Sequence, residues 1–363
     1  MTAISRSKKW MVQLAVLALI ALGTTFALEI ADPQHVQAQS SVRPPANAVN
    51  PVEGTVPGRA RSNLSNSEMW RAIRKGIKGT VSIPDKKAAQ LVQSEGDAWR
   101  AVKNGPIATW GVIGLAGIIG LLAVFYLIRG KIRVDHGMSG RTITRFAELE
   151  RMGHWLLAGS FIILAVTGLN ITYGKYFLLP LLGKSGFAAI AAGGKWLHNY
   201  VAFAFMAGLV MILVMWIKDN FPTAADFKWI AQGGGMFSKG VHPPAYKFNA
   251  GQKILFWLVI WGGLGLSLTG IALLFPFQIG FPAGMEPIHQ MQFAATWHAI
   301  IALFMVIVVI AHIYIGTIGM EGAYDAMGTG EVDENWAKEH HSIWAKEAAK
   351  SRGGRKSKAV PAE

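Results

Sequence analysis

Two histidines stand fourteen positions apart in the apolar stretch from Ala294 to Met320, in Thr-Trp-His298-Ala-Ile and Ile-Ala-His312-Ile-Tyr. At about 100° and about 1.5 Å per residue, that many helical steps bring a side chain back to within roughly 40° of its starting direction, about 21 Å further along the axis. One helix face therefore carries an imidazole near each end. A bilayer core is about 30 Å thick, so the two rings would lie near opposite membrane surfaces while looking into the same bundle. Ionisable groups at such depths are costly and usually face a bundle interior. One reading makes both of them hydrogen-bonded core histidines. The other makes them metal ligands, because a neutral imidazole binds haem iron well, and a haem used only for electron transfer takes one nitrogen above the ring and one below. The second reading needs a partner histidine at each depth.

The elements that would position these rings are membrane helices. The chain has 363 residues, 52% of them hydrophobic and only 15% charged, with a mean hydropathy of +0.33. That composition excludes an ordinary soluble domain and predicts an all-α, polytopic membrane protein. The formal charge of +14 does not point to nucleic acid, because the basic residues fall between apolar runs and in the tails. It reads as topology and contact with lipid headgroups. No cysteine is present, which excludes disulfides, iron–sulfur ligation and covalent c-type haem attachment. Any haem must be held non-covalently, and the chain has no evident centre of its own for oxidising a substrate.

Residues 1–38 read as a signal peptide: Arg6, Lys8 and Lys9 precede the apolar run Trp10 to Leu28, and Val36-Gln37-Ala38 offers small residues for cleavage. An uncleaved anchor is the alternative. Residues 39–105 form a polar exported segment with short helices expected around Trp70–Lys78 and Ala88–Val102, serving as a docking surface or a tether. Five apolar helices are predicted near 107–128, 150–173, 194–217, 253–275 and 293–319. Arg129, Lys131, Arg133, Arg141 and Arg145 follow the first, and Lys218, Lys228, Lys239 and Lys247 follow the third. No Lys or Arg separates the fourth from the fifth, and the tail is basic. The positive-inside rule then runs the odd-numbered helices inward and puts the C-terminus in the cytoplasm, with Lys175, Lys184 and Lys195 dissenting mildly. The organisation expected is an extra helix and cytoplasmic linker at 106–144, a four-helix domain at 145–320 and a basic cytoplasmic tail at 321–363.

Direction decides how the histidines pair. His154, in Arg-Met-Gly-His-Trp, opens the second helix on the cytoplasmic side and is level with His312. His198, in Lys-Trp-Leu-His-Asn-Tyr, opens the third helix outside and is level with His298. Two bis-histidine sites stacked across one four-helix bundle follow, with Gly153, Gly159, Gly168 and Gly208 either admitting a flat macrocycle or serving as ordinary helix contacts. His136, His242, His289, His340 and His341 read as solvated or surface residues of loops and tail, and His35 as part of the signal. Near the fourth helix, Asn249 and Gln252 offer amide donors to a quinone carbonyl and Gly251 permits close backbone approach. The bland alternative is an Asn249 helix cap with Lys253 snorkelling to the headgroups.

The helices that bear the four histidines, the block Lys247-Phe-Asn-Ala-Gly-Gln-Lys253-Ile-Leu-Phe-Trp257 and the tail Trp336-Ala-Lys-Glu-His340-His341-Ser-Ile-Trp344 together resemble the cytochrome b, or gamma, subunit of respiratory formate dehydrogenase. The resemblance covers roughly residues 145–350, and the Asn-Ala-Gly-Gln-Lys block is its most specific part. It implies a bacterial inner-membrane complex of anaerobic respiration. In that complex a molybdenum or tungsten pterin alpha subunit oxidises formate outside, and an iron–sulfur beta subunit passes electrons to the outer haem b at His198 and His298. The inner haem b at His154 and His312 follows, and then menaquinone or ubiquinone at Asn249, Gly251, Gln252 and His312. The b cytochromes of nickel–iron hydrogenase and thiosulfate reductase share this plan. A proton transporter with a histidine relay and a purely structural membrane anchor are the alternatives from other classes.

Overall fold

The computed structural model describes residues 79–80, 90–92 and 96–357 except residue 239, so the expected signal peptide and the helix expected around Trp70–Lys78 lie outside the described residues. A short antiparallel pair, β1 (Gly79–Thr80) with β2 (Gln90–Val92), precedes α1 (Gly96–Val102). A strand and a shorter helix thus stand where one helix was expected from Ala88 to Val102. A π-turn, Lys103–Ile107, leads into α2 (Ala108–Arg129), the first long apolar helix. It stops at Gly130, whose φ of 67° is a left-handed conformation that glycine adopts without steric cost.

The next helix, α3 (Glu148–Trp216), runs for 69 residues and is broken at Gly183, with φ 68° and ψ 179°. A straight helix of that length would reach about 100 Å, three times the bilayer core. Side-chain contacts show instead that its two arms, 148–182 and 184–216, lie antiparallel. The Trp216 indole donates to Glu150 at 2.8 Å, Leu157 abuts Gly208, and Thr167 meets His198, each pair centred close to the break. The sequence places an outer loop at Lys175–Lys195; the arms remain helical through it and turn only at Gly183. Two further spans follow, α5 (Ala250–Leu274) and α6 (Pro287–Tyr314), after the short α4 (Ala224–Ala231). Among the described residues four helices are long and apolar enough to cross a membrane, and the hairpin of α3 makes five apolar rods of them. Leu127, Ile128, Phe177, Val214 and Trp261 stay largely exposed on their outer surfaces, as a lipid environment requires.

The extra helix α2 packs against α6. A Cβ on Gly111 would come within 2.7 Å of a Leu303 methyl and one on Gly114 within 2.7 Å of the Ile307 end methyl, so these glycines let the two helices approach with both side chains in their present rotamers. Tyr173 of the hairpin donates its hydroxyl to the Ala108 carbonyl at 2.9 Å.

One end of the bundle is closed by a cap. There β3 (Thr142–Thr144), in the linker after α2, pairs antiparallel with β4 (Glu331–Asp333), beyond α7 (Asp325–Gly328). The tail continues as α8 (Glu334–His340) and α9 (Ser342–Ser357). Val134, Ile143, Phe146, Trp216, Phe248, Val332 and Trp336 form the heart of one apolar cluster there. The tail was expected to be solvated, yet His341 is 1% exposed. Its place is between Trp336 and Trp344, with Nε2 accepting from the Arg145 guanidinium at 2.9 Å and Nδ1–H donating to the Tyr246 carbonyl at 2.7 Å. Burial and the Arg145 charge hold the imidazole well below its usual pKa, so it is neutral and free to accept.

Candidate functional site

Both histidine pairs form. His154, on the first arm of α3, faces His312 near the end of α6, with ring centroids 6.3 Å apart and planes inclined at 66°. His198, on the second arm, faces His298 at 6.2 Å, also at 66°. The pairs therefore have one geometry at two depths. No hydrogen bond joins the rings of either pair among the described residues, so the histidines do not satisfy one another.

The His198–His298 pair reveals how its rings are oriented. The Thr167 hydroxyl donates to the Ile163 carbonyl at 2.8 Å and the Thr269 hydroxyl to the Gly265 carbonyl at 2.6 Å, each four residues back in its own helix. Each hydroxyl proton being committed, the oxygen can only accept from the histidine it faces: Nδ1 of His198 at 2.8 Å and Nδ1 of His298 at 2.9 Å. The proton thus sits on Nδ1, and Nε2 keeps its lone pair as a ligand. The residues after these threonines make room for the rings. A Cβ on Gly168 would lie 3.4 Å from Cε1 of His198, and one on Gly270 3.3 Å from Cε1 of His298. Thr167, Thr269 and Gly270 do not stand out from sequence alone. The signal was a repeated Thr-Gly step, 167–168 and 269–270, about thirty residues before His198 and His298 respectively.

The glycines singled out from sequence divide accordingly. Gly168 serves the His198 ring, while Gly208 lies against the Leu157 backbone and Gly153 against Met215 as contacts within the hairpin. Gly159 faces open space. At the His154–His312 pair, Nδ1 of His154 is buried and has no hydrogen-bond partner among the described residues.

This arrangement fits a haem iron. An iron on a common axis, about 2 Å from each coordinating nitrogen with each ring centre about 1.1 Å further out, separates ring centres by about 6 Å. Both pairs meet that spacing, and all four histidines come from helices whose length and apolar surface suit a bilayer.

The block Asn249–Lys253 forms the start of α5. Asn249 is its N-cap: the side-chain oxygen accepts from Gln252 N at 2.9 Å, and Gln252 Oε1 accepts from Asn249 N at 3.1 Å. Trp229 closes over Gly251. Arg145 ties the block to the cap, donating to Lys247 O at 2.6 Å and to Gln252 Oε1 at 3.3 Å. Burial lowers its guanidinium to about 9, still protonated at neutral pH. No hydrogen bond joins His312 to Asn249 or Gln252 among the described residues. Lys253 does not snorkel. It is 4% exposed and paired with Asp226 at 2.7 Å, beside an apolar cleft of about 620 Å³ bounded by Trp257, Trp261, Phe304 and Met305.

The remaining histidines are placed as follows. His289 stands in the first turn of α6 and not in a loop. His136 is exposed at the side chain, and His242 faces His340 in the cap.

Residues 145–330 match the family described as prokaryotic cytochrome b561. The chain belongs to that family. It is 28% identical over 211 residues to the formate dehydrogenase cytochrome b556(fdo) subunit of Escherichia coli K12, covering 58% of this chain and 95% of the relative. To the nitrate-inducible formate dehydrogenase cytochrome b556(Fdn) subunit of the same strain it is 24% identical over 219 residues, covering 60% and 96%. The corresponding figures for the formate dehydrogenase cytochrome b556 subunit of Haemophilus influenzae are 25% over 217 residues, 58% and 85%. The expected all-α membrane bundle and the resemblance to formate dehydrogenase cytochrome b subunits are both borne out, and membership of this cytochrome family implies haem b. The segment before residue 145, including α2, precedes the family match.

Proposed function

We propose that this chain is the cytochrome b subunit of a formate dehydrogenase complex. It takes electrons from an exported iron–sulfur subunit and delivers them to a quinone, menaquinone or ubiquinone, near the cytoplasmic face of the bacterial inner membrane. The observation that carries the reading is the pair of histidine couples with equal spacing and tilt, reached from one face of α6. When bound, two b haems, one held by His154 and His312 and one by His198 and His298, supply one-electron centres with no open coordination position.

The chain's own groups do the positioning. Thr167 and Thr269 fix the tautomer and rotation of the outer ligands. At the other end, the Asn249 cap uses the carbonyl oxygens of Asn249 and Gln252, which leaves their NH₂ groups as the donors for a quinone carbonyl. Arg145 steadies Gln252, and the apolar cleft that begins one turn along α5 suits an isoprenoid tail. His312 completes this end by joining the inner couple. The positive-inside rule, applied to the lysines and arginines of the cap, supports a cytoplasmic location, where quinone reduction takes up protons. Moving an electron inward against a potential negative inside costs about 2.3 kcal/mol per 100 mV, which a low-potential donor such as formate can supply. Formate oxidation itself belongs to a molybdenum or tungsten pterin subunit. Residues 1–38 act as signal peptide and 39–105 as an exported segment.

The test is a pyridine haemochrome assay on the purified chain, together with formate-driven quinone reduction by the assembled complex in sealed vesicles. Two non-covalent b haems per chain and quinone reduced from the side bearing the cap are expected. A haem-free chain, or reduction only from the opposite side, would overturn the reading.

A further inference from the structure

Asp135, His242 and Glu339 come from three separate stretches of the cap: the linker after α2, the loop before α5, and α8. Each offers one ligand atom, and these atoms lie within 4.8 Å of one another. Nε2 of His242 is 3.0 Å from Asp135 Oδ2, which also accepts from Gly240 N at 3.0 Å. Glu339 accepts from Asp135 N at 2.9 Å and from His136 N at 3.1 Å, and its Oε1 is 2.8 Å from His136 Nδ1. These bonds alone describe an ordinary polar knot.

A second observation does not fit a closed knot. Nε2 of His340 is buried and has no hydrogen-bond partner among the described residues, although buried polar atoms are almost always satisfied. Its ring lies 6.3 Å from that of His242. Both rings and Asp135 line one cavity of about 20 Å³, room for about one ion or water. Arg129 and Arg133 border the cavity too, and Arg129 Nε donates to the Met236 carbonyl at 2.9 Å. Two carboxylates and two imidazoles supply a net charge of −2 and a mixed nitrogen–oxygen donor set. Mg²⁺ and Ca²⁺ prefer oxygen alone, whereas imidazole suits zinc and its neighbours.

We propose that Asp135, His242, His340 and Glu339 bind a first-row divalent transition ion of the Zn²⁺ class. The four side chains draw together from their present spread to reach metal–ligand bonds of about 2.0–2.2 Å. His242 then ligates through the nitrogen that now faces Asp135. Bound metal fastens the linker that follows α2, which precedes the family match, to the tail and to the loop leading into Asn249. The site stands apart from both histidine couples and does not rest on the quinone reading.

The experiment uses tag-free, haem-loaded full chain stripped with a chelator. It is titrated with Zn²⁺ against a chromophoric competitor, with zinc and iron counted by mass spectrometry. The expected result is one tightly held zinc per chain, with imidazole scattering in its X-ray absorption spectrum. His242→Ala/His340→Ala should weaken binding at least 100-fold with the haem spectrum unchanged. Asp135→Asn, which keeps an acceptor for Gly240, should also weaken it. Zinc held equally by Asp135→Asn and the wild type overturns the proposal whether or not the double variant folds, as does a spectrum with oxygen ligands only.

Discussion

Nδ1 of His198 lies 2.8 Å from Oγ1 of Thr167, whose hydroxyl proton points back to the Ile163 carbonyl. The side chain of one helix arm thereby sets the protonation pattern of a ring on the other. Partners of this kind typically change metal affinity by about 10- to 100-fold when lost. Thr167→Val should lower haem retention at the His198–His298 couple by that order, while Thr167→Ser, which keeps the acceptor, retains it. Haem titration of the two variants decides the matter, and equal retention in both would remove the threonine's assigned role.

Replacing ligands should separate the couples. His198→Ala is expected to leave about one b haem per chain, and His312→Ala the other one. Haemochrome quantitation paired with low-temperature spectra reads both the count and the identity of the survivor. If the two variants kept the same haem, the pairing would be wrong.

Gly208 allows the hairpin arms to touch. A Cβ there would sit 2.9 Å from the Leu157 backbone, which cannot yield as a flexible side chain can. Gly208→Val should cost about 1–3 kcal/mol by overpacking, seen as a lower midpoint for loss of the haem spectrum on heating. Gly120→Ala, on the open face of α2, should change little.

The buried Lys253–Asp226 pair should be far more sensitive to losing one member than both. Lys253→Met leaves an unpaired carboxylate and should cost about 3–5 kcal/mol, whereas Lys253→Met with Asp226→Leu should recover most of it. Burial raises the Asp226 carboxyl, but hydrogen bonds from Lys253 and Thr223 outweigh that and hold it below the usual range. Its contribution is therefore fully present above about pH 4 and is lost as pH falls through the lowered value. Denaturant unfolding followed from about pH 5 down to about pH 2 should show an acid-side loss of stability that Asp226→Asn reduces.

Arg145 joins the cap to the start of α5 through Lys247, Gln252 and His341. Arg145→Met should release residues 336–345 to limited proteolysis while both histidine couples keep their haem. Resistance equal to the wild type would show that the aromatic contacts suffice.

The site was far more legible in sequence than the cap. His298 and His312 lie in phase on one apolar helix, and charge-derived direction gave His154 and His198 their partners, because 3.6-residue periodicity and lipid depth both act along the chain. Thr167 and Thr269 escaped because their role depends on which neighbouring arm they face, a tertiary fact carried by a common dipeptide. The tail looked solvated because its residues are polar and mixed. His341 is buried through a guanidinium donated from nearly two hundred residues earlier, and no local pattern announces such a partner. The loop expected at Lys175–Lys195 does contain the turn, at Gly183, but it is far shorter than its lysines and glycines suggested, because both arms stay helical up to that residue.

The strand Thr142–Thr144 has its partner at Glu331–Asp333. A ribosome must therefore finish every apolar span before the linker can find the edge it pairs with, and the cap is assembled last. Chains truncated before residue 331 would leave that ribbon unpaired and strip Val332 and Trp336 from the cluster around Val134, Ile143 and Phe146, exposing an unpaired edge and apolar surface that favour aggregation.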